Sequence, residues 1–512
     1  MARLEFEFRF KPGDPGARRR APGEPFRLLI LADFSGRTKL DRVAPKPVKV
    51  DAEHLDRALS RFEARVQLEL PGVGPVTFSP RGLEELHPDG LLRSLSIFQE
   101  PLRLRRAIAQ GNASAEVLEQ ARAFLRSQGA AAAEVPVANA PTAATTPASA
   151  KPAENEHDTL ARLLGGIGGK GAPGGEAAAP RAPSALQTII ERAVKPHLAE
   201  GPSLERDVVV RELDRVVNNL LQAILEDPRY RSLEVAWRGA ERVVRALDTD
   251  EIIEIALLDL SQDELRAAFG TSGELGTEEE RARAELVQRL PQETRYTCFA
   301  AALSFGPDDI ASLAGLASWA LRSGAFLLAD AAPSLLGIKT PSAAGDPRLW
   351  DPEPLPALWH ALRASSLGKH VGLVYPRVLL RLPYGKTTDP VEGIAFEEAN
   401  GSGSSVARCF GSGALTVCEM LGRGYREYES DYLQSFEPEL TDLPAYTYLD
   451  DGEKKLVPTT EVTLSERAMA ACLEEGILPL IPRRDRASVQ LPQLASLASP
   501  AAALSEVSSE SA

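Results

Sequence analysis

Apolar residues recur along this chain with two periods, and a long stretch near the middle shows neither. Leu4, Phe6, Phe8 and Phe10 alternate with Glu5, Glu7, Arg9 and Lys11, the period-2 signature of a strand with one apolar face. After a Gly/Pro/Arg loop, Phe26–Phe34 reads as a second, more buried strand ending at Ser35-Gly36. Val48–Val50 begins another element, Ala52–Leu70 mixes helical and strand patterns, and Leu91–Ile108 reads as a helical run. A strand at a chain terminus has to pair, either inside its own domain or on the sheet edge of another subunit.

Helical spacing dominates the start of the second half. Val208, Val209, Leu213, Val216, Val217, Leu220, Leu221, Ile224 and Leu225 fall on one stripe of a helix over Leu204–Leu225, which Asp227-Pro228 stops. Leu233–Leu247 is a second amphipathic helix carrying Trp237. Strands and helices then alternate. Glu251–Leu260 is strand-like, Ser261 and Glu264 form a capping box, and Tyr296–Phe305 is a buried strand. Pro307 and Gly324 bracket a helix over Asp308–Ser323, and Ala325–Ala329 follows as a strand. A later unit runs strand Glu461–Leu464, N-cap Ser465, helix to Glu475, stop at Gly476, strand Ile477–Ile481. This order predicts an α/β fold, mixed α+β in places, with mostly parallel sheets flanked by helices.

Between the two halves, Gly129–Pro183 is almost wholly Ala, Pro, Gly, Thr and Ser. Such a composition buries too little apolar surface to offset the entropy of ordering it. The expectation is therefore two folded parts, 1–127 and 184–489, joined by a linker over 128–183, with 490–512 as a disordered Ala/Ser-rich tail. One short apolar-faced helix, Asp158–Leu164, interrupts the linker.

Composition narrows the function. The net charge of −14 argues against a nucleic-acid partner, since phosphate binding needs a basic surface, and Arg18-Arg19-Arg20 is too short a cluster to reverse that. No apolar run approaches the ~18 residues of a membrane span. The N-terminus lacks the apolar core of a secretion signal. Cys298, Cys409, Cys418 and Cys472 share no CxxC spacing and read as buried thiols in a reducing, cytoplasmic compartment, with no metal site.

A search for catalytic patterns returns little. Gly166–Gly171 fits GxGxxG in form, but no buried strand precedes it and no helix follows, so it is not a dinucleotide fingerprint and no cofactor is expected. Gly401–Ser405 and Gly411–Gly413 do not make a GxSxG elbow; they read as a loop entering a helix over Ala414–Tyr428. His360 and His370 are too far apart for a helical metal pair, and Glu397-Glu398 are adjacent and diverge. No constellation points to an enzyme.

Longer motifs do point somewhere. Val371–Gly385, Asp389–Gly393 and Phe396–Glu398, with Leu233–Gly239 and Leu464–Arg467, resemble the large sheath subunit of type VI secretion systems (TssC/VipB). The resemblance runs in order from about Leu204 to Val489. Pro25–Arg37, Phe78-Ser79 and Leu83–Leu95 resemble the small sheath subunit (TssB/VipA). The chain is thus similar to a small and a large subunit in fusion.

That resemblance implies a structural protomer of a contractile sheath. Subunits of this family polymerise helically around an inner tube on a baseplate, and contraction drives tube and effectors outward. It implies partners: other sheath subunits, the tube protein, the baseplate and a ClpV-type unfoldase that recycles the contracted form. Leu4, Phe6, Phe8 and Phe10 would serve strand exchange between neighbours, and Leu160, Leu163 and Leu164 would form the helix the unfoldase grips. Two departures stand out. The family usually encodes the two subunits separately, and its large subunit continues past the position matching Val489, where only Gln490–Ala512 follow here. A non-polymerising accessory that caps, primes or regulates a sheath is the alternative expectation.

Overall fold

The computed structural model describes residues 24–36, 46–110, 114–127, 202–270, 277–289, 294–399, 408–436, 438–445, 447–450 and 453–506. The linker over 128–183, the strand at Leu4–Phe10 and the helix bearing Leu160, Leu163 and Leu164 lie outside those residues.

The described residues up to Leu102 and from Asp214 onward make one compact unit, and those within Arg103–Leu213 a second. The first is organised on a seven-stranded sheet. Its strands are β1 (Phe26–Ala32), β2 (Val48–Val50), β5 (Ile253–Asp259), β6 (Cys298–Phe305), β7 (Phe326–Ala331), β8 (Val371–Tyr375) and β14 (Ile477–Pro479), in the order β14-β8-β7-β6-β1-β5-β2. Every neighbouring pair is parallel except β2 with β5. β1, which belongs to the first part of the sequence, therefore lies between two strands of the second. A central parallel strand is covered on both faces, which is why FRLLILA is apolar almost without interruption.

Alternate residues of β1 serve two cores. Leu29 and Leu31 join the cluster formed with α7 (Gln262–Phe269), α9 (Ile310–Arg322), α10 (Ala357–Ala364) and α12 (Glu466–Glu474). The opposite face packs against α6 (Pro228–Leu247) and α11 (Gly413–Tyr428). Those two helices approach closely: a Cβ on Gly422 would come within 2.6 Å of Leu247. The unit is completed by α1 (Leu55–Phe62), the hairpin β3–β4 (Val66–Leu70, Gly74–Phe78), α2 (Pro88–Ser94), the start of α3 (Gln99–Ala109), most of α5 (Pro202–Glu226) and α8 (Thr277–Gln288). Smaller ribbons pair β9 with β10 (Val378–Arg381, Cys409–Gly411), β12 with β13 (Thr447–Asp450, Glu453–Leu456), and β16 (Val489–Gln490) with β11 (Glu439–Leu440) and β15 (Ile481–Pro482). The described parts of the second unit are helical: the rest of α3, α4 (Ala115–Ser127) and the first turns of α5.

Local signals set most boundaries. Ser261 and Glu264 form the expected reciprocal capping box on α7, and Ser465 caps α12 through the Ala468 N–H. Gly324 and Gly476 end α9 and α12 at φ 79° and 74°, a region that penalises any residue with a Cβ.

Three expectations change. Residues 490–506 are not a disordered tail. Leu491 and Leu497 are fully buried, and the Leu497 N–H bonds to the carbonyl of Val371. Alanine and serine suit this place because the segment threads tightly over the sheet edge: the Leu497 backbone lies 3.0 Å from where a Gly476 Cβ would be. Glu461–Leu464 is not a strand. The Glu461 N–H bonds to the Arg377 carbonyl and the Thr460 hydroxyl to the Val462 carbonyl, so backbone groups are satisfied without a ladder while Val462 and Leu464 still enter the core. The helical run Leu91–Ile108 breaks at Leu95, whose φ/ψ of −89°/125° is extended. A new helix has to begin there because Pro101, having no N–H, is tolerated only in a first turn.

Candidate functional site: a seam across one sheet

The candidate site is the seam along which the described residues of 24–102 meet the rest of their unit. It starts with α6, whose Asp227 cap accepts the Arg229 and Tyr230 N–H groups with Pro228 in the first turn. From this anchored helix three side chains donate to main-chain carbonyls of the N-terminal part. Arg229 Nη1 reaches the Gln67 carbonyl at 2.6 Å, the Tyr230 hydroxyl reaches Leu86 at 2.5 Å, and Trp237 Nε1 reaches Phe34 at 2.8 Å. Tyr230 and Trp237 are fully buried. Their acceptors are backbone atoms, so α6 recognises a conformation of the N-terminal part more than its side chains.

Strand β1 is fixed at both ends. At its start the Phe26 N–H bonds to the Ile252 carbonyl and the Thr297 N–H to the Arg27 carbonyl. At its end the fully buried Asp259 accepts the N–H groups of Phe34 and Ser35 at 2.9 and 3.1 Å. Phe34 also packs on Phe62 and Trp237, with ring centroids 5.7 and 5.0 Å away. Leu28, Leu29, Ile30 and Leu31 are fully buried, and each contributes about 1.5–3 kcal/mol relative to exposure. Summed over four residues, this is comparable with the whole stability of an ordinary domain.

Beside the seam lies a buried ionic cluster. Arg381 forks to Glu234 at 2.7 and 3.2 Å and to Glu398 at 2.7 and 3.1 Å. Arg238 adds a bond of 2.8 Å to Glu234, and the Arg381 guanidinium stands 3.9 Å above the Tyr384 ring. Burial alone would raise the Glu234 carboxyl, but the two guanidiniums overcome that and hold it down at about 2. Burial and the Glu234 charge push the Tyr384 phenol well up. The cluster clamps the arm over residues 381–398 to α6. His87 of the N-terminal part stands edge-on to Tyr384 at 4.8 Å, and Asp89 accepts the Glu392 N–H at 2.8 Å.

At the carboxyl ends of β1, β6 and β7 a crevice of about 660 Å³ opens, with Ala32, Ser304, Asp330, Arg377, Ser412 and Glu461 among its walls. Asp330 is 7% exposed and accepts the Ala414 N–H at the start of α11 at 2.8 Å. Burial raises its carboxyl to about 6 in spite of that bond. No group of His, Cys, Asp or Glu among the described residues is arranged to hold a metal ion. All four cysteines are buried free thiols, and burial drives Cys409 and Cys472 up to about 12.

None of the residues expected from sequence to bind partners is among those described, so the seam was not anticipated. Its signals were present: the apolar run Leu28–Ala32 of β1 and the charged residues within the motifs Leu233–Gly239 and Val371–Gly385.

The scaffold is an α/β sheet into which sequence-distant parts are knitted, with Arg238, Arg381, Glu234 and Glu398 paired beside the seam. The VipB family model (EvpB/VC_A0108, tail sheath N-terminal domain) matches residues 207–279 and 296–497, just over half of the chain, and the chain belongs to that family. The Type VI secretion system sheath protein TssC1 of Pseudomonas aeruginosa is 28% identical over 327 residues, which cover 60% of this chain and 65% of that protein. The chain thus spans somewhat less than two thirds of the curated relative. β1, β2 and the β3–β4 hairpin all lie outside the matched residues.

Proposed function

We propose that this chain is a structural protomer of a type VI secretion contractile sheath in which a small-subunit-like part (TssB/VipA-like) is fused to a large-subunit-like part. The observation that carries this reading is β1. A segment before the family-matching region supplies an interior strand of that region's own sheet, between β6 and β5, as a tightly bound second subunit would. Residues 1–127 are the small part, 128–183 the linker that holds the two at one-to-one stoichiometry, and 184 onward the large part. The protomer works in the cytoplasm, polymerises around an inner tube on a baseplate, and contracts to drive effectors outward without bond-making chemistry.

Electron microscopy of the purified full chain tests this. Helical tubules are the expected result. Soluble monomers that decorate one end of a separately assembled sheath would instead identify a capping accessory. Leu4, Phe6, Phe8 and Phe10 are assigned to strand exchange between protomers; tubules that form normally with Phe6→Asp and Phe8→Asp would remove that assignment. Leu160, Leu163 and Leu164 are assigned to a grip for a ClpV-type unfoldase, and unchanged unfoldase affinity after deletion of residues 156–165 would refute it.

A further inference from the structure

The segment 491–506 does more than cover the sheet edge. Leu491, Leu497 and Leu504 anchor it in the core, and Ser505 pins it at the start of β8. The Ser505 N–H donates to the Lys369 carbonyl at 3.2 Å, and its own carbonyl accepts from His370 Nδ1 at 2.9 Å. That places Glu506 where its Oε1 accepts the Tyr432 hydroxyl at 2.8 Å. Tyr432 is 1% exposed and follows the end of α11. Its ring stands edge-on to Phe26, the first residue of β1, and to Tyr425, with centroids 5.7 and 5.4 Å away. Tyr425 in turn packs on Phe26 at 5.3 Å and donates its hydroxyl to the Glu24 carbonyl at 2.7 Å. A continuous run of contacts therefore leads from the start of β8 to the start of β1, although β7 and β6 lie between them in the sheet. The turn that carries Tyr432 is strained. Glu429, which ends α11, has φ 46° and ψ −117°, a conformation that persists only where surrounding contacts hold it.

We infer that segment 491–506 is a latch on the seam: through Glu506 it holds Tyr432 against Phe26 and so fixes the entry of β1 into the sheet. A buried hydroxyl needs an acceptor, and Glu506 supplies one. With that acceptor withdrawn, the Tyr432 hydroxyl turns toward water, the strained turn relaxes and the aromatic packing on Phe26 loosens. The far end of β1 has a separate anchor in Asp259, which accepts the Phe34 and Ser35 N–H groups. Release of the latch therefore frees the start of the strand and leaves its end in place. Ser505 and Glu506 lie beyond the family match, which stops at residue 497, so the hold on β1 is set from a part of the chain outside the matched region. The latch belongs to the seam and does not depend on the sheath reading.

Hydrogen exchange of the full chain, resolved to single amides, tests this in the wild type, Glu506→Ala, Tyr432→Phe and the double variant. The reporters at the start of β1 are the Phe26 N–H, bonded to the Ile252 carbonyl, and the Thr297 N–H, bonded to the Arg27 carbonyl. Exchange at both should accelerate about five- to tenfold in each single variant. The double variant should add nothing further, since both changes break the same bond. Phe34 and Ser35, at the other end of the strand, and the amides of β7 should keep their wild-type rates. Glu506→Gln, which retains a carbonyl acceptor, should exchange as the wild type does. Unchanged rates at Phe26 and Thr297 would overturn the inference. So would equal acceleration at both ends of β1, the mark of an ordinary loss of global stability, or additive effects in the double variant.

Discussion

Asp330 gives the sharpest quantitative prediction of the fold. Its carboxyl rises from the ordinary 3.8 to about 6 because burial at the end of β7 disfavours the charge more than the Ala414 N–H and the α11 terminus favour it. A shift of roughly two units at about 1.4 kcal/mol each corresponds to about 3 kcal/mol. The sign follows from proton uptake. The folded state holds this proton more tightly than the unfolded chain, so Asp330 contributes its full share of stability below about pH 4. That share is lost as pH rises through 6. At neutral pH the ionised side chain is a net burden of about 3 kcal/mol relative to a neutral group of the same shape. Asp330→Asn supplies such a group and still accepts the helix N–H. Urea unfolding of wild type and variant in parallel from pH 4.5 to 7.5 measures the difference. The variant should be more stable at pH 7.5 by up to about 3 kcal/mol, and its advantage should shrink steadily as pH falls through 6. A variant that is less stable at pH 7.5, with a gap that does not move with pH, would show that the α11 terminus more than compensates for burial and that the reasoning is wrong.

Further predictions concern the seam. Tyr230→Phe leaves the Leu86 carbonyl without its donor and should lower stability by about 1–2 kcal/mol in equilibrium unfolding; no change would mean that water replaces the bond. Arg381→Ala leaves buried Glu398 without a guanidinium and Glu234 with Arg238 alone, and should destabilise by about 3–5 kcal/mol, whereas joint replacement of Arg381, Arg238, Glu234 and Glu398 by apolar residues should lose much less. Comparable losses in the two variants would argue that the charges themselves are not the cause. Leu29→Ala opens a cavity in the middle of the sheet and should cost about 2–5 kcal/mol. Because β1 bonds on both sides, hydrogen exchange in β5 and β6 should accelerate together in that variant; acceleration in β5 alone would contradict the strand order.

Much of the architecture was legible in the chain. The alternation of strand and helix over Glu251–Ala329, the capping box at Ser261 and the glycine stops at Gly324 and Gly476 follow from neighbours in sequence, because helix ends and turns are settled by hydrogen bonds within a few residues. The family resemblance was legible for a different reason: it rests on motifs whose charged members, Glu234, Arg238, Arg381 and Glu398, turn out to be bound to one another.

Other features depended on contacts that no local pattern encodes. The order of strands, and with it the place of β1 between β5 and β6, is fixed by ladder bonds across more than two hundred residues of chain. The apolar run Phe26–Ala32 announced a strand covered on both faces, but many sheets could have supplied the cover. Residues 490–506 looked too poor in large apolar groups to fold, yet their small side chains are what let the segment lie against the backbone at Gly476. Asp330 carried no mark at all in the sequence. Its raised carboxyl exists only because strand β7 delivers it to a buried point beside the start of α11, where burial outweighs the hydrogen bonds it accepts there and the charge of Arg377. Local periodicity determined which segments are strands and helices in this protein; only the tertiary fold decided which of them meet, because the free energy of meeting resides in surfaces and charges that lie far apart along the chain.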